Sequence, residues 1–126
     1  GFISYAAKKY PQHKFVCKTA QEIDYPENSF DKVMLLNFIH FLKDEDAKSL
    51  LKKCANIAKD SVYIMEPLPE DSKWTNFFYS QNRGHNFKSW MQLKEDISEH
   101  FVIEDAKVFK SGFYRLVMVK CVPQSP

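Results

Sequence analysis

The chain has 126 residues, of which 44% are hydrophobic, 27% are charged and 15% are aromatic. This length suits one small domain, and this balance is that of a globular protein with enough apolar surface for a core. The net charge of +2 is too small to indicate a nucleic-acid-binding protein, which usually carries a concentrated basic patch.

The three cysteines, Cys17, Cys54 and Cys121, are far apart in the sequence. Because their number is odd and no two form a Cys-x-x-Cys pair, we expect neither a disulfide framework nor a metal site. Each lies in an apolar pattern, which favours buried thiols in the reducing cytoplasm. No apolar run is long enough to span a membrane, and Lys8 and Lys9 interrupt any early secretory signal.

The first half of the chain predicts a helix end, two strands and a helix. Residues 3–10 are typical of a helix end that Pro11 stops, and residues 14–17 form a short strand candidate. Residues 30–38 carry the near-continuous apolar run Val33-Met34-Leu35-Leu36, which is typical of a central parallel strand. Residues 44–59 have apolar side chains along one helical stripe, with Asp44 as the predicted N-cap.

The second half predicts a strand, a loop, a helix and a hairpin. Residues 61–66 form the strand, and the irregular segment 71–88 follows it. Ser89 and Gln92 have the spacing of a capping box, which predicts a helix start with reciprocal side-chain bonds.

Residues 102–109 and 113–122 read as two strands joined by a turn, which predicts a β-hairpin. Alternation of strands and helices before this hairpin favours an α/β fold. We therefore expect a mostly parallel sheet with a C-terminal antiparallel hairpin.

An ordered set of motifs resembles class I S-adenosylmethionine-dependent methyltransferases of the type 11/12 kind. Residues 23–31 (Ile-Asp-Tyr-Pro-Glu-Asn-Ser-Phe-Asp) resemble the family's loop acid-x-Leu-Pro-Phe-Pro-Asp-Asn-Ser-Phe-Asp before a central strand. Residues 38–44 (Phe-Ile-His-Phe-Leu-Lys-Asp) are similar to its Leu-His-His-Leu-x-Asp motif. Residues 3–11 resemble the helix after its second strand. The resemblance implies a Rossmann-like methyltransferase sheet that uses S-adenosylmethionine.

The resemblance also implies two groups of cofactor-binding residues at the carboxyl ends of the strands, where such sheets bind ligands. Those at the adenine ring are Thr19, Ala20 and Gln21; those near the methionine part and the methyl group are Asn37, Phe38 and His40. The sequence departs from the family at two positions: the family often has an acid in place of Thr19, and Phe41 replaces the second His of its pair.

The family's glycine-rich turn, which lets the backbone approach the cofactor closely, has no counterpart here. The only glycines are Gly1, Gly84 and Gly112. We therefore expect residues 1–126 to form one partial domain whose first strands are missing. An upstream segment or a homodimer would complete the sheet, and the chain alone would bind the cofactor weakly or not at all.

The segment 71–88 is a candidate substrate lid, because loops beside a rigid sheet carry variable chemistry. Four residues are predicted to bind substrate: Glu66, Tyr79, Arg83 and His85. Simpler alternatives remain for several of them: Arg83 and His85 could be surface residues, Glu66 a solvated strand end, and His40 a cap on its strand. No residue is identified as catalytic.

The predicted function is methyl transfer from S-adenosylmethionine to a small-molecule acceptor, without nucleic-acid or membrane partners. The alternative is a non-catalytic, methyltransferase-like module for binding or assembly, since a fold resemblance does not fix an activity.

Overall fold

The computed structural model describes residues 2–14, 19–68, 89–111 and 114–124. Its helices and strands, in chain order, are α1 (Phe2–Lys9), β1 (Phe30–Leu36), α2 (Asp44–Ile57), β2 (Ala58–Leu68), α3 (Trp90–Ser98), β3 (Phe101–Ser111) and β4 (Tyr114–Pro123). Two 3-10 helices, Ala20–Glu22 and Ile39–Phe41, lie between α1 and α2. The strand predicted at residues 14–17 lies mostly, and the loop at 71–88 wholly, outside the described residues.

The four strands form one sheet in the order β1-β2-β4-β3. β1 and β2 are parallel, and α2 makes the crossover that a parallel connection requires. β4 lies between β2 and β3 and is antiparallel to both. The predicted Rossmann-like α/β fold class with a C-terminal antiparallel hairpin is confirmed. The sheet was expected to be mostly parallel; of the three described strand pairings, β1–β2 is parallel and the other two are antiparallel.

The core lies on the face of the sheet that α2 and α3 cover. The apolar stripe of α2 is buried as predicted, and α3 contributes Leu93 and Ile97. Opposite them, β2 buries Val62 and Ile64, which alternate along the strand as a pleated sheet requires. The packed face thus fixes the position of β2, whose carboxyl end forms part of the candidate functional site.

β1 has a covered face and an open face among the described residues. Leu35 is 9% exposed, whereas its neighbours Met34 and Leu36 are 61% and 46% exposed. The sequence predicted a central strand, but β1 is at the end of the described strand order, with a neighbour only on the β2 side. The described residues therefore bury only one face of β1, although both of its faces carry apolar side chains.

The start of α2 corrects one prediction. Lys43, not Asp44, is the N-cap residue, and its side chain makes no capping hydrogen bond. The backbone of Lys43 is still extended, so Asp44 is already the first helical residue. Its carboxylate instead lies 3.5 Å from Nζ of Lys48, one turn along. At the other end, α2 stops at Ile57 rather than residue 59, because Ala58 begins β2.

The start of α3 confirms half of the predicted capping box. Ser89 is the N-cap, and its Oγ accepts a hydrogen bond from the backbone N–H of Gln92 at 3.2 Å. The reciprocal bond was predicted wrongly. The side chain of Gln92 donates to Oδ1 of Asp96 at 3.0 Å, one turn further along the same helix.

The prediction of buried thiols is confirmed for Cys54 and Cys121. Burial raises the pKa of Cys54 to about 11 and, with Cys54 nearby, that of Cys121 to about 12. Cys17 lies outside the described residues. Within the described part of the chain, no helix has the length and apolar character to cross a bilayer.

Candidate functional site

The chain turns sharply where β1 ends. Asn37 has φ 54°, in the left-handed region that asparagine tolerates better than most residues. Its N–H donates to the carbonyl oxygen of Met65 at 2.7 Å, which extends the pairing with β2 by one residue. Directly afterwards the chain enters the 3-10 helix Ile39–Phe41, with Phe38 as its N-cap. The turn formed by residues 37–41 therefore lies at the carboxyl edge of the parallel strands.

Glu66 holds this turn from the neighbouring strand. Its Oε1 accepts hydrogen bonds from the backbone N–H of Phe38, at 3.0 Å, and of Ile39. Its Oε2 lies 2.8 Å from Nδ1 of His40. We name this arrangement, one carboxylate with donors on Phe38, Ile39 and His40, the Glu66 clamp.

Strand register explains how residues so distant in sequence meet. Leu36 pairs with Met65 in the parallel ladder. Parallel strands end at the same edge of a sheet, so Glu66 comes directly after Met65 just where Asn37 follows Leu36. The clamp is thus a consequence of the register between β1 and β2.

The clamp is buried. Glu66 and His40 are each only 4% exposed, so the interpretation of Glu66 as a solvated strand end is wrong. The hydrogen bond between Nδ1 of His40 and Oε2 of Glu66 is enclosed with them, and the tautomer that carries its proton on Nδ1 lets the ring donate to the carboxylate. The imidazole ring also lies against Phe41, with 4.3 Å between ring centroids. His40 is therefore fixed by contacts on two sides.

The second group of predicted cofactor residues lies around the first 3-10 helix. Ala20 is buried against the core, whereas Thr19 and Gln21 are exposed. Nζ of Lys53, on α2, donates to the carbonyl oxygen of Gln21 at 3.0 Å. This segment is therefore held on α2, with its polar side chains directed away from the core.

The structure brings some of the predicted site residues together and not others. Asn37, Phe38, His40 and Glu66 meet in one turn, although the sequence assigned Glu66 to substrate and the other three to the cofactor. Sequence reasoning missed the bond to Ile39, and only the strand register could have indicated it. The whole candidate lid, residues 71–88, lies outside the described residues, and with it three further predicted site residues: Tyr79, Arg83 and His85.

An open groove lies at the other edge of the sheet, with a volume of about 710 Å³. Its walls come from α2, the loop before β1, the start of β2, the end of α3 and the end of β4, including Asn28, Lys52, Lys59 and Gln124. It is therefore separate from the Glu66 clamp. Among the residues that the structure describes, no cluster of His, Cys, Asp or Glu could hold a metal ion.

A family model described as a methyltransferase domain matches residues 1–65 of the chain. The chain belongs to this methyltransferase domain family. The match extends from α1 through Met65, so it includes the turn at residues 37–41 and stops just before Glu66. No curated protein sequence matches the chain significantly.

Solved structures share the fold of this methyltransferase domain. The PH0226 protein from Pyrococcus horikoshii OT3 has a TM-score of 0.69 and 13% identity over 96% of this chain and 64% of its own. The cyclase SpnF has a TM-score of 0.73 and 13% identity over 98% and 63%. Magnesium protoporphyrin IX methyltransferase from Synechocystis PCC 6803, with bound S-adenosylhomocysteine, has a TM-score of 0.73 and 13% identity over 97% and 59%.

At these identities the similarity shows the fold alone. The chain spans 59 to 64% of the length of these three proteins. One of them is a cyclase, so the reaction of any one protein of this fold does not follow from its shape.

Proposed function

We propose that this methyltransferase domain takes part in methyl transfer from S-adenosylmethionine to a small-molecule acceptor. The observation that carries the proposal is the turn at residues 37–41, which is hydrogen-bonded to Glu66 and follows β1 at the carboxyl edge of the sheet. Ligands of open α/β sheets bind outside this edge. Family membership supplies the reaction class.

The described residues fit both ends of such a cofactor. Thr19 and Gln21 offer exposed polar side chains for the edge of an adenine, beside a segment held on α2. Asn37 is exposed at the end of β1, and its left-handed backbone aims the following residues across the sheet edge. We assign Asn37 and Phe38 to the methionine part of the cofactor.

The chemistry demands positioning above all. When bound, S-adenosylmethionine supplies a methyl group already activated by its sulfonium. The protein must then align donor and acceptor, and a fixed backbone turn contributes to that alignment by removing conformational freedom beforehand. We assign no general base to the described residues. Tyr79, Arg83, His85 and the segment 71–88 remain proposed acceptor contacts, as sequence reasoning placed them.

Binding calorimetry with S-adenosylhomocysteine tests the cofactor assignment. Asn37→Gly removes the side chain while tolerating the left-handed backbone, and we expect it to weaken binding several-fold. Asn28→Gly is a matched control, because Asn28 also has a positive φ, of 55°, but lies in the loop before β1 at the opposite edge. Equal affinities for both variants and the unmodified protein would remove Asn37 from the site.

The second candidate function is a non-catalytic module. It is kept as an alternative because the cyclase SpnF has the same fold and is named for a reaction other than methyl transfer, so the fold alone does not establish methyl transfer. Incubation of the protein with tritiated S-adenosylmethionine and a cell metabolite extract separates the two. Label that moves into a small molecule supports methyl transfer, whereas ligand binding without any labelled product supports the module.

A further inference from the structure

We infer that Glu66 is a positioning residue: it holds the turn at residues 37–41 in the shape that receives the methionine part of the cofactor. The role of the turn in this inference rests on the proposed function, whereas the clamp itself does not. Glu66 then acts through the backbone of Phe38 and Ile39 and through the ring of His40, rather than by touching a ligand.

The start of the 3-10 helix explains why such a residue is needed. The first N–H groups of any helix lack partners within it, and a side chain at the N-cap often satisfies them. Here the N-cap is Phe38, whose side chain makes no capping bond. Glu66 supplies the acceptor instead, from a different strand. It thus serves as a long-range cap for the turn.

Burial makes the cap strong. A buried N–H without an acceptor destabilises the fold, and hydrogen bonds to a carboxylate are stronger than those between neutral groups. The carboxylate satisfies two backbone N–H groups and one imidazole N–H at once. Its own burial is compensated by the same three donors.

The geometry also indicates that Glu66 positions the turn rather than contacting a ligand directly. Oε1 already accepts two hydrogen bonds, Oε2 faces His40, and the side chain is almost entirely enclosed. A substrate acid would present an oxygen to the ligand. Sequence reasoning assigned Glu66 to substrate binding, but its carboxylate is hydrogen-bonded within the protein.

Two substitutions test the inference. Glu66→Gln keeps a carbonyl oxygen for Phe38 and Ile39, while its amide N–H₂ faces Nδ1 of His40 and shifts the ring proton to Nε2. Glu66→Ala removes the acceptor altogether. Glu104→Ala is the control, because Glu104 is exposed on β3 and contacts only Lys120, at 3.6 Å, among the ion pairs found in the described residues.

Amide hydrogen exchange and calorimetry with S-adenosylhomocysteine are the readouts. We expect Glu66→Gln to keep the protection of the Phe38 and Ile39 amides and the ligand affinity within about threefold. Its His40 ring should show the Nε2–H tautomer by nitrogen NMR. We expect Glu66→Ala to lose tenfold or more of that protection and of the affinity, and Glu104→Ala to change neither.

Each of the following outcomes would contradict one part of this inference. Unchanged amide exchange in Glu66→Ala would contradict the clamp. Faster exchange with unchanged affinity would contradict its positioning role. Loss of affinity in Glu66→Gln with an intact turn would show that the carboxylate contacts the ligand. If the unmodified protein shows no binding of S-adenosylhomocysteine even at several millimolar ligand, the assignment of the turn to the cofactor fails, and the exchange measurements still decide the clamp.

Discussion

Nδ1 of His40 lies 2.8 Å from Oε2 of Glu66, although 26 residues separate the two in the chain. The helix α2 occupies most of that interval, and the parallel register of β1 and β2 returns Glu66 to the turn. Stability of the fold and shape of the candidate site therefore depend on the same contact.

A double-mutant cycle on His40 and Glu66 tests their energetic coupling. Because both side chains are buried and share a hydrogen bond, we expect His40→Ala and Glu66→Ala to be non-additive by about 1–2 kcal/mol in the free energy of unfolding. Denaturant unfolding measures this quantity. The matched pair is Glu104 and Lys120, whose side chains are 49% and 44% exposed, and for which we expect coupling below about 1 kcal/mol. Additive effects at both pairs would contradict the contact.

Two identical substitutions test the position of the core. Val119, in β4, is completely buried, whereas Val102, in β3, is 56% exposed. Both changes to alanine lose some strand propensity, but only Val119→Ala also loses buried methyl groups. We expect it to lower the free energy of unfolding by about 2 kcal/mol, and Val102→Ala by less than about 1 kcal/mol. Similar losses at the two positions would contradict the burial of β4 between β2 and β3.

Because the thiols of Cys54 and Cys121 are buried, we expect the free energy of unfolding to fall in alkaline solution. The pKa values of Cys54 and Cys121 rise from 9.0 to about 11 and about 12, chiefly through burial. Below pH 9 the thiols are protonated in both states and contribute no pH dependence. Between pH 9 and 11, thiols of the unfolded chain ionise while the folded ones do not, so stability falls by at most about 1.4 kcal/mol per pH unit for each.

Comparison with Cys54→Ala isolates this effect from other groups that titrate in the same range. The variant should be less stable at neutral pH, because it leaves a cavity. Its stability should nevertheless fall less steeply than that of the unmodified protein between pH 9 and 11, as followed by denaturant unfolding. Parallel curves over that interval would mean that Cys54 ionises as easily in the folded protein as in the unfolded chain.

The N-cap of α3 gives a smaller effect. Ser89→Ala removes the oxygen that accepts from the N–H of Gln92, and we expect a loss of about 1 kcal/mol in the free energy of unfolding. Ser89→Asp keeps an acceptor at the positive end of the helix and should retain the stability of the unmodified protein. If aspartate were as destabilising as alanine, Ser89 would not act as a cap.

The sequence predicted those parts of the fold that local patterns determine. The apolar stripe of α2, the cap of α3 at Ser89 and the C-terminal hairpin were all readable, because each depends on residues within a few positions of one another. The alternation of strands and helices predicted the sheet, and the family resemblance identified it as Rossmann-like. The prediction of Asp44 as an N-cap was wrong because the exact residue at which a backbone turns helical is decided by its φ and ψ.

The clamp could not be predicted from local patterns. Its donors follow one strand and its acceptor ends another, so only the register of β1 against β2 brings them together. The sequence showed Glu66 after an apolar run, a position equally suited to a solvated acid. The sequence was similarly ambiguous for Gln92, since its side chain could reach either the helix start or Asp96. In the structure it donates a hydrogen bond to Asp96.

The central claim is that the carboxyl edge of the sheet, with the turn at residues 37–41, receives the cofactor. A nitrogen–proton NMR titration with S-adenosylhomocysteine tests it most directly, because chemical shifts report binding even at millimolar dissociation constants. We expect weak, saturable shifts at the amides of residues 19–21 and 37–40, and none at Asn28 or Gln124 beside the opposite groove. An absence of shifts at residues 37–40 at several millimolar ligand, or shifts centred on that groove, would contradict the account.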